Sequence, residues 1–206
     1  MKRMMMIFAA STLLTGGLFA QSTPTPAATP TADPNHPATV NERRENQQDR
    51  IANGVASGEL TAGETKNLES REANLNREIK DDRVADGGKL TAAEHKQVNA
   101  QQNNLSNSIY ADKHNAATQN YKGEVGERQK NQQERIAQGI RSGQLTANET
   151  AHLENREQGI NEQVHADRAG NGGKLTGAEK KQINGEQNKA SQKIYRDKHN
   201  GARQPK

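Results

Sequence analysis

Two clusters of side chains in this chain have the types and spacing to do chemistry. The first is a set of oxygen donors around a Gly-Gly pair: Asp82, Asp86, Thr91 and Glu94, returning as Asp167, Asn171, Thr176 and Glu179. Carboxylate, amide and hydroxyl oxygens are hard donors, able to cap a helix or to meet a cation. The second is an aromatic–imidazole pair, Tyr110 with His114 and Tyr195 with His199. Residues four apart on a helix can meet, so each pair forms a half-polar patch suited to recognition. Catalysis has little else to draw on. The six His residues show no His-x-x-x-His or His-Glu-x-x-His spacing, and no Gly-rich phosphate loop follows a strand. There is no Cys, which excludes disulfides, zinc thiolates and thiol catalysis. The chain therefore reads as a non-enzyme without an organic cofactor.

Both clusters occur twice because the chain does. Residues 46–117 match, without a gap, the residues 85 places later, as far as position 202. Asn46-Gln47-Gln48 returns as Asn131-Gln132-Gln133, and Gly87-Gly88-Lys89-Leu90-Thr91 as Gly172-Gly173-Lys174-Leu175-Thr176. Ile109-Tyr110 and Asp112-Lys113-His114-Asn115 return as Ile194-Tyr195 and Asp197-Lys198-His199-Asn200. Such self-similarity indicates a repeated supersecondary unit. Inside it lies a smaller one, Gly-x-Leu-Thr-x-x-Glu, at Gly58 to Glu64, Gly88 to Glu94, Gly143 to Glu149 and Gly173 to Glu179. After each Leu, apolar residues follow at steps of eight, seven and four: Leu60, Leu68, Leu75, Ile79; Leu90, Val98, Leu105, Ile109; Leu145, Leu153, Ile160, Val164; Leu175, Ile183, Ala190, Ile194. Steps of seven and four return to one helical face, whereas a half-buried strand alternates every two residues.

Thr61, Thr91, Thr146 and Thr176 stand where a helix N-cap belongs, each with Glu three residues on (Glu64, Glu94, Glu149, Glu179). This is the capping box, in which the hydroxyl accepts an orphan amide and the Glu returns to the Thr amide. The same string resembles the second half of an EF-hand calcium loop, with its central Gly, apolar residue, Thr and terminal Glu. That resemblance implies Ca2+ held by Asp82, Asp86, Thr91 and Glu94, and by Asp167, Asn171, Thr176 and Glu179. Two departures stand against the pattern. Asp82 to Glu94 spans thirteen residues rather than twelve, and the third position carries Val84 or Ala169. Leu-Thr-x-x-Glu at helix starts also resembles the Leu-Thr-x-x-Gln of small helical periplasmic proteins related to Spy and CpxP, which implies a periplasmic binding or chaperone-like role.

Residues 1–20 read as a signal peptide, with Lys2 and Arg3, an apolar stretch from Met4 to Phe19, and the small Ala20. The chain is expected to be periplasmic or secreted, without a Cys for lipid attachment and without a membrane span once the signal is cut. Without Lys2 and Arg3 the formal charge of +4 falls to +2. With both Phe residues also gone, Tyr110, Tyr121 and Tyr195 are the remaining aromatics, too few for a base-stacking platform. Nucleic acid is excluded as a partner on both grounds. Leu, Ile and Val make up only 22 of the 186 residues after position 20, below the usual composition of a folded domain. Helical hydrogen bonding and Ala packing must supply much of the stability.

The expected architecture is all-α: a tandem duplication of an antiparallel three-helix unit, after a signal peptide and a disordered Pro/Thr-rich linker. Its parts are a signal at 1–20, a disordered Pro/Thr/Ala-rich linker at 21–40, three-helix repeats at 41–117 and 126–202, a linker at 118–125 and a disordered tail at 203–206. Helices are expected from Asn41 to Ala56, Ala62 to Val84 and Ala92 to His114, and then near 127–141, 147–169 and 177–199. At the ends of the third and sixth, Asn115 and its copy are expected to supply a left-handed cap. Short breaks between helices favour antiparallel neighbours. The expected function is that of a structural or interaction module, with an unidentified protein or envelope surface as partner and with Tyr110, His114, Tyr195 and His199 as the contact patch. Calcium binding is the alternative.

Overall fold

Each Gly-x-Leu-Thr-x-x-Glu string does start a helix. A computed structural model describes residues 38–205, and over them the chain is all-α, with no strand. The helices are α1 Val40–Ser57, α2 Ala62–Ala85, α3 Ala92–Lys113, α4 Gly123–Arg141, α5 Ala147–Gly170 and α6 Gly177–Lys198. Thr61, Thr91, Thr146 and Thr176 form reciprocal capping boxes with the Glu three residues on. A fifth box, Thr39 with Glu42, opens α1. Gly58 ends α1 at φ 75°, a conformation costly for any residue with a Cβ.

The apolar stripes are buried along all four series, apart from Leu90 and Leu175, which are partly covered. The helices that bury them come from both copies of the repeat. α1 and α2 run antiparallel, with Gln48 on Glu69 and Arg44 beside Glu72. α2 and α3 do the same, with Arg71 on Ser108 and Glu78 on Gln97 and Gln101. The most extensive contacts, however, are α2 with α5 and α1 with α4. The largest core cluster accordingly mixes Ile51, Val55, Leu60, Leu68, Leu105 and Ile109 with Ile136, Ile140, Leu145, Leu153 and Ile194. Two smaller clusters lie apart from it, Val40, Leu75, Ile79 and Val98 in one, Val125, Ile160, Val164, Ile183 and Ala190 in the other. The short apolar inventory is thus concentrated where the copies meet.

Polar cross-ties supplement this small core. Gln47 Nε2 donates to Gln102 O at 2.7 Å and Ser106 Oγ at 2.9 Å, while Gln102 Nε2 donates to Val40 O at 2.8 Å. Gln132, Gln187, Ser191 and Val125 repeat the arrangement at 2.7, 3.0 and 2.8 Å. A buried amide whose N–H groups are bonded avoids the desolvation cost of an unpaired one. Close packing at the α1–α2 and α4–α5 corners depends on glycine. A Cβ on Gly54 would lie 2.6 Å from Leu60 Cγ, and one on Gly139 2.6 Å from Leu145 Cγ.

Several expectations are corrected. α4 starts at Gly123, so the 118–125 linker is shorter than expected, and Thr39 and Val40 belong to α1 and its cap rather than to the 21–40 linker. The caps of α3 and α6 are His114 and His199, with φ −116° and −119°, not a left-handed Asn. Asn115 and Asn200 reach across instead to Glu64 and Glu149. In the 203–206 tail, Gln204 is only 8% exposed, and its Oε1 accepts from Ala147 N at 2.7 Å. The signal peptide at 1–20 and the linker up to position 37 lie outside the described residues. Among the described residues, no helix is long and apolar enough to cross a membrane.

Candidate functional site

The acidic loop after α2 gathers in part. Asp86, just past the end of that helix, shares a hydrogen bond with Glu94, the third residue of α3, and this bond holds the Asp86 carboxyl above its ordinary value. Asp82, one turn back, is raised by its own desolvation and then by Glu94, Glu78 and Asp81. Glu94 is lowered, chiefly by the Thr91 amide. Its Oε2 accepts from Thr91 N at 2.7 Å, and Thr91 Oγ1 accepts from Glu94 N at 3.3 Å, so the cap already engages both residues. In the second copy Asn171 Nδ2 donates to Glu179 Oε1 at 2.7 Å, while Thr176 N donates to Glu179 Oε2 at 2.7 Å. Asn171 also donates to the Asp167 backbone carbonyl, and no bond joins the Asp167 side chain to that cap. Among the described residues, no group of three or more His, Cys, Asp or Glu is arranged to hold a metal ion.

The Tyr–His pairs do meet. Tyr110 stacks on His114 with ring centroids 4.1 Å apart, and Tyr195 on His199 at 4.2 Å, both at 25° between planes. Each imidazole is fixed by a bond between its Nδ1 and the Tyr backbone carbonyl, at 2.7 and 2.6 Å. The rings stay exposed, Tyr110 by 62% and Tyr195 by 60%. Below them the helix ends are anchored. Lys113 pairs with Glu59 at 3.2 Å, while Lys198 donates to Gln138 Oε1 at 3.0 Å and is lowered by burial and Arg135.

A third cluster was hidden in the sequence. Glu69 and Glu72 on α2, and Glu154 and Glu157 on α5, are at most 1% exposed, at the contact between those two helices. Each first Glu has one donor: Gln48 Nε2 reaches Glu69 Oε2 at 3.2 Å, and Gln133 Nε2 reaches Glu154 Oε2 at 2.9 Å. The remaining six of the eight carboxyl oxygens lack a well-formed hydrogen bond, although the Asn76 side chain bears on Glu72. Glu72 lies 3.8 Å from Arg44 Nε. Residue 129, the copy of Arg44, is Gln, which turns to Asn161 at 2.7 Å. Glu157 makes no such ion pair, the Arg156 guanidinium acting on it only from a distance.

Burial raises all four carboxyls. Glu69 is raised further by Glu72, and Glu154 by Glu157 and Glu69, with the Gln amides opposing. Glu72 is raised to about 7 against the pull of Arg44, and Glu157 to about 8 against that of Arg156. Burial keeps the charged form from water, the dominant cause where compensating bonds are few. On the α5 side the half-buried Tyr121 is also raised, by burial and then by Glu154, Glu157 and Glu134. The repeated Asn-Gln-Gln string carries the donors Gln48 and Gln133, but nothing in it marks which acids they meet. A Glu on a polar helix reads as solvated until a second helix is known to cover it.

Compared with protein-family models, with curated proteins and with solved structures, the chain matches none. Function is therefore argued from these three clusters alone. The Tyr–His pairs are accessible and geometrically alike, the acidic loops are accessible and unlike, and the carboxyl row is sealed. Only the first offers the same surface twice.

Proposed function

We propose that this is an exported, non-enzymatic interaction protein that presents two equivalent Tyr–His patches on a body built from a duplicated antiparallel three-helix unit. The observation that carries the reading is the matched geometry of the two stacks, at 4.1 and 4.2 Å. A tyrosine ring exposes apolar area and a hydroxyl together, at low side-chain entropy cost, which suits a contact residue. Among the described residues, the large hydrophobics turned outward are Val84, Tyr110 and Tyr195. Two weak sites on one body gain avidity toward a partner that repeats or lines a surface.

The test uses immobilised protein, a native envelope fraction and three variants. Tyr110→Ala with Tyr195→Ala is expected to lose the captured partner, while either substitution alone retains it in reduced amount. Circular dichroism should be unchanged in all three. Equal capture by parent and double variant removes the proposal.

Divalent-cation binding is the second reading, favoured by the meeting of Asp86 with Glu94 and by the acidic field on Asp82. It applies better to the first loop than to the second, where the Asn171 amide holds Glu179.

A further inference from the structure

We propose that Glu72, Glu69, Glu154 and Glu157 form a proton-operated latch between the two copies of the repeat, closed when protonated and loosened when ionised. The row lies at the α2–α5 contact, the most extensive between any two helices. It borders the core cluster to which both copies contribute. Neutral carboxyls supply their own protons as donors there. Four carboxylates in the same place would face one another across a dry interface with few compensating bonds.

The charges bearing on the row come from few elements. α1 brings Arg44, against Glu72; α2 and α5 bring the glutamates themselves, with Arg156 against Glu157. α4 contributes the Gln133 amide, and the segment before α4 contributes the Tyr121 phenol, raised by the same acids. α3 and α6, on the flanks, add no charge to the row. Two guanidiniums, of which only Arg44 is within ion-pair distance of the row, cannot neutralise four carboxylates, so ionisation of the later groups is repulsive.

The sign follows from linkage. A carboxyl whose folded value exceeds its ordinary 4.5 binds its proton more tightly in the folded state. Its contribution is full below about pH 4.5 and is lost as pH rises through the folded values, about 7 for Glu72 and about 8 for Glu157. The latch therefore loosens on the alkaline side.

The absence of Cys allows a clean pair of probes at Lys96→Cys on α3 and Lys181→Cys on α6, both exposed. Spin labels there should give a narrow distance distribution at pH 5.5 that broadens and lengthens by pH 9 (~2 units above the Glu72 value). Protection factors of α2 and α5 amides, taken relative to the intrinsic exchange rate at each pH, should fall at least tenfold over the same range. The quadruple Glu→Gln variant should show neither change. Glu157→Gln alone, the mildest edit, should move the transition to higher pH. A parent distribution constant from pH 5.5 to 9, or a transition that Glu157→Gln leaves in place, overturns the latch.

Discussion

The same substitution, glycine to alanine, should have opposite signs at two helical positions of this protein. Gly54 lies in α1 and Gly159 in α5. Alanine gains about 1 kcal/mol over glycine in a helix interior, because it narrows the unfolded ensemble and shields the backbone. At Gly159 nothing lies within 4 Å of the added methyl, so Gly159→Ala should stabilise by about that amount. At Gly54 the methyl meets Leu60 Cγ at 2.6 Å and Cδ1 at 2.7 Å. Leu60 is 0% exposed in the shared core, so its branch has no free direction to move. Overpacking costs about 1–3 kcal/mol, and Gly54→Ala should be destabilised by about 1 kcal/mol net. In a body of this size 1 kcal/mol shifts Tm by about 2–4 °C, one variant rising and the other falling. Urea unfolding followed by circular dichroism measures both. Adding Gly54→Ala to Leu60→Ala should restore the favourable sign, a coupling of about 1 kcal/mol or more. If Gly54→Ala matches or exceeds the parent, or Gly159→Ala falls below it, the corner packing is not as described.

Thr146→Ala removes an N-cap hydroxyl that accepts from Glu149 N at 3.3 Å and should cost about 1 kcal/mol in the same urea assay, with Thr146→Ser nearly silent. Gln132→Ala breaks the tie to Gln187 O and Ser191 Oγ. It should cost about 1–3 kcal/mol and speed exchange in α6 before α5, whereas uniform exchange would show that the tie is not local. On the cation reading, titrating millimolar Ca2+ into the protein gives a binding heat that Asp82→Ala with Glu94→Ala abolishes. Silence of the parent in that titration leaves Glu94 as a cap residue alone. Because a cation competes with protons for Asp86, which is raised by its bond to Glu94, any such affinity should weaken as pH falls.

Much of the fold was legible because helices announce themselves locally. Thr-x-x-Glu marks a start, and Leu68, Leu75 and Ile79 mark a face. The expected bounds of α2, α3, α5 and α6 lie within a residue of those observed. The start of α4 was missed because Lys122 caps it without a side-chain bond. The first cap was missed because Thr39 lacks the preceding Gly-x-Leu. The Tyr–His contact was readable from its spacing of four, being a property of one helix. The carboxyl row was not readable, since nothing around Glu69 or Glu154 distinguishes it from solvated helix acids such as Glu78.

By itself the sequence determined what depends on neighbours a few residues away: helix number, four of the caps, the apolar faces and the two paired rings. Tertiary structure alone decided that α2 packs on α5 and α1 on α4. With that packing came the burial of four glutamates and the demand for glycine beside Leu60 and Leu145. The reason is physical. Hydrogen-bond periodicity and capping act over one or two helical turns, whereas desolvation and close approach depend on which surface another helix covers, across roughly 85 residues of chain.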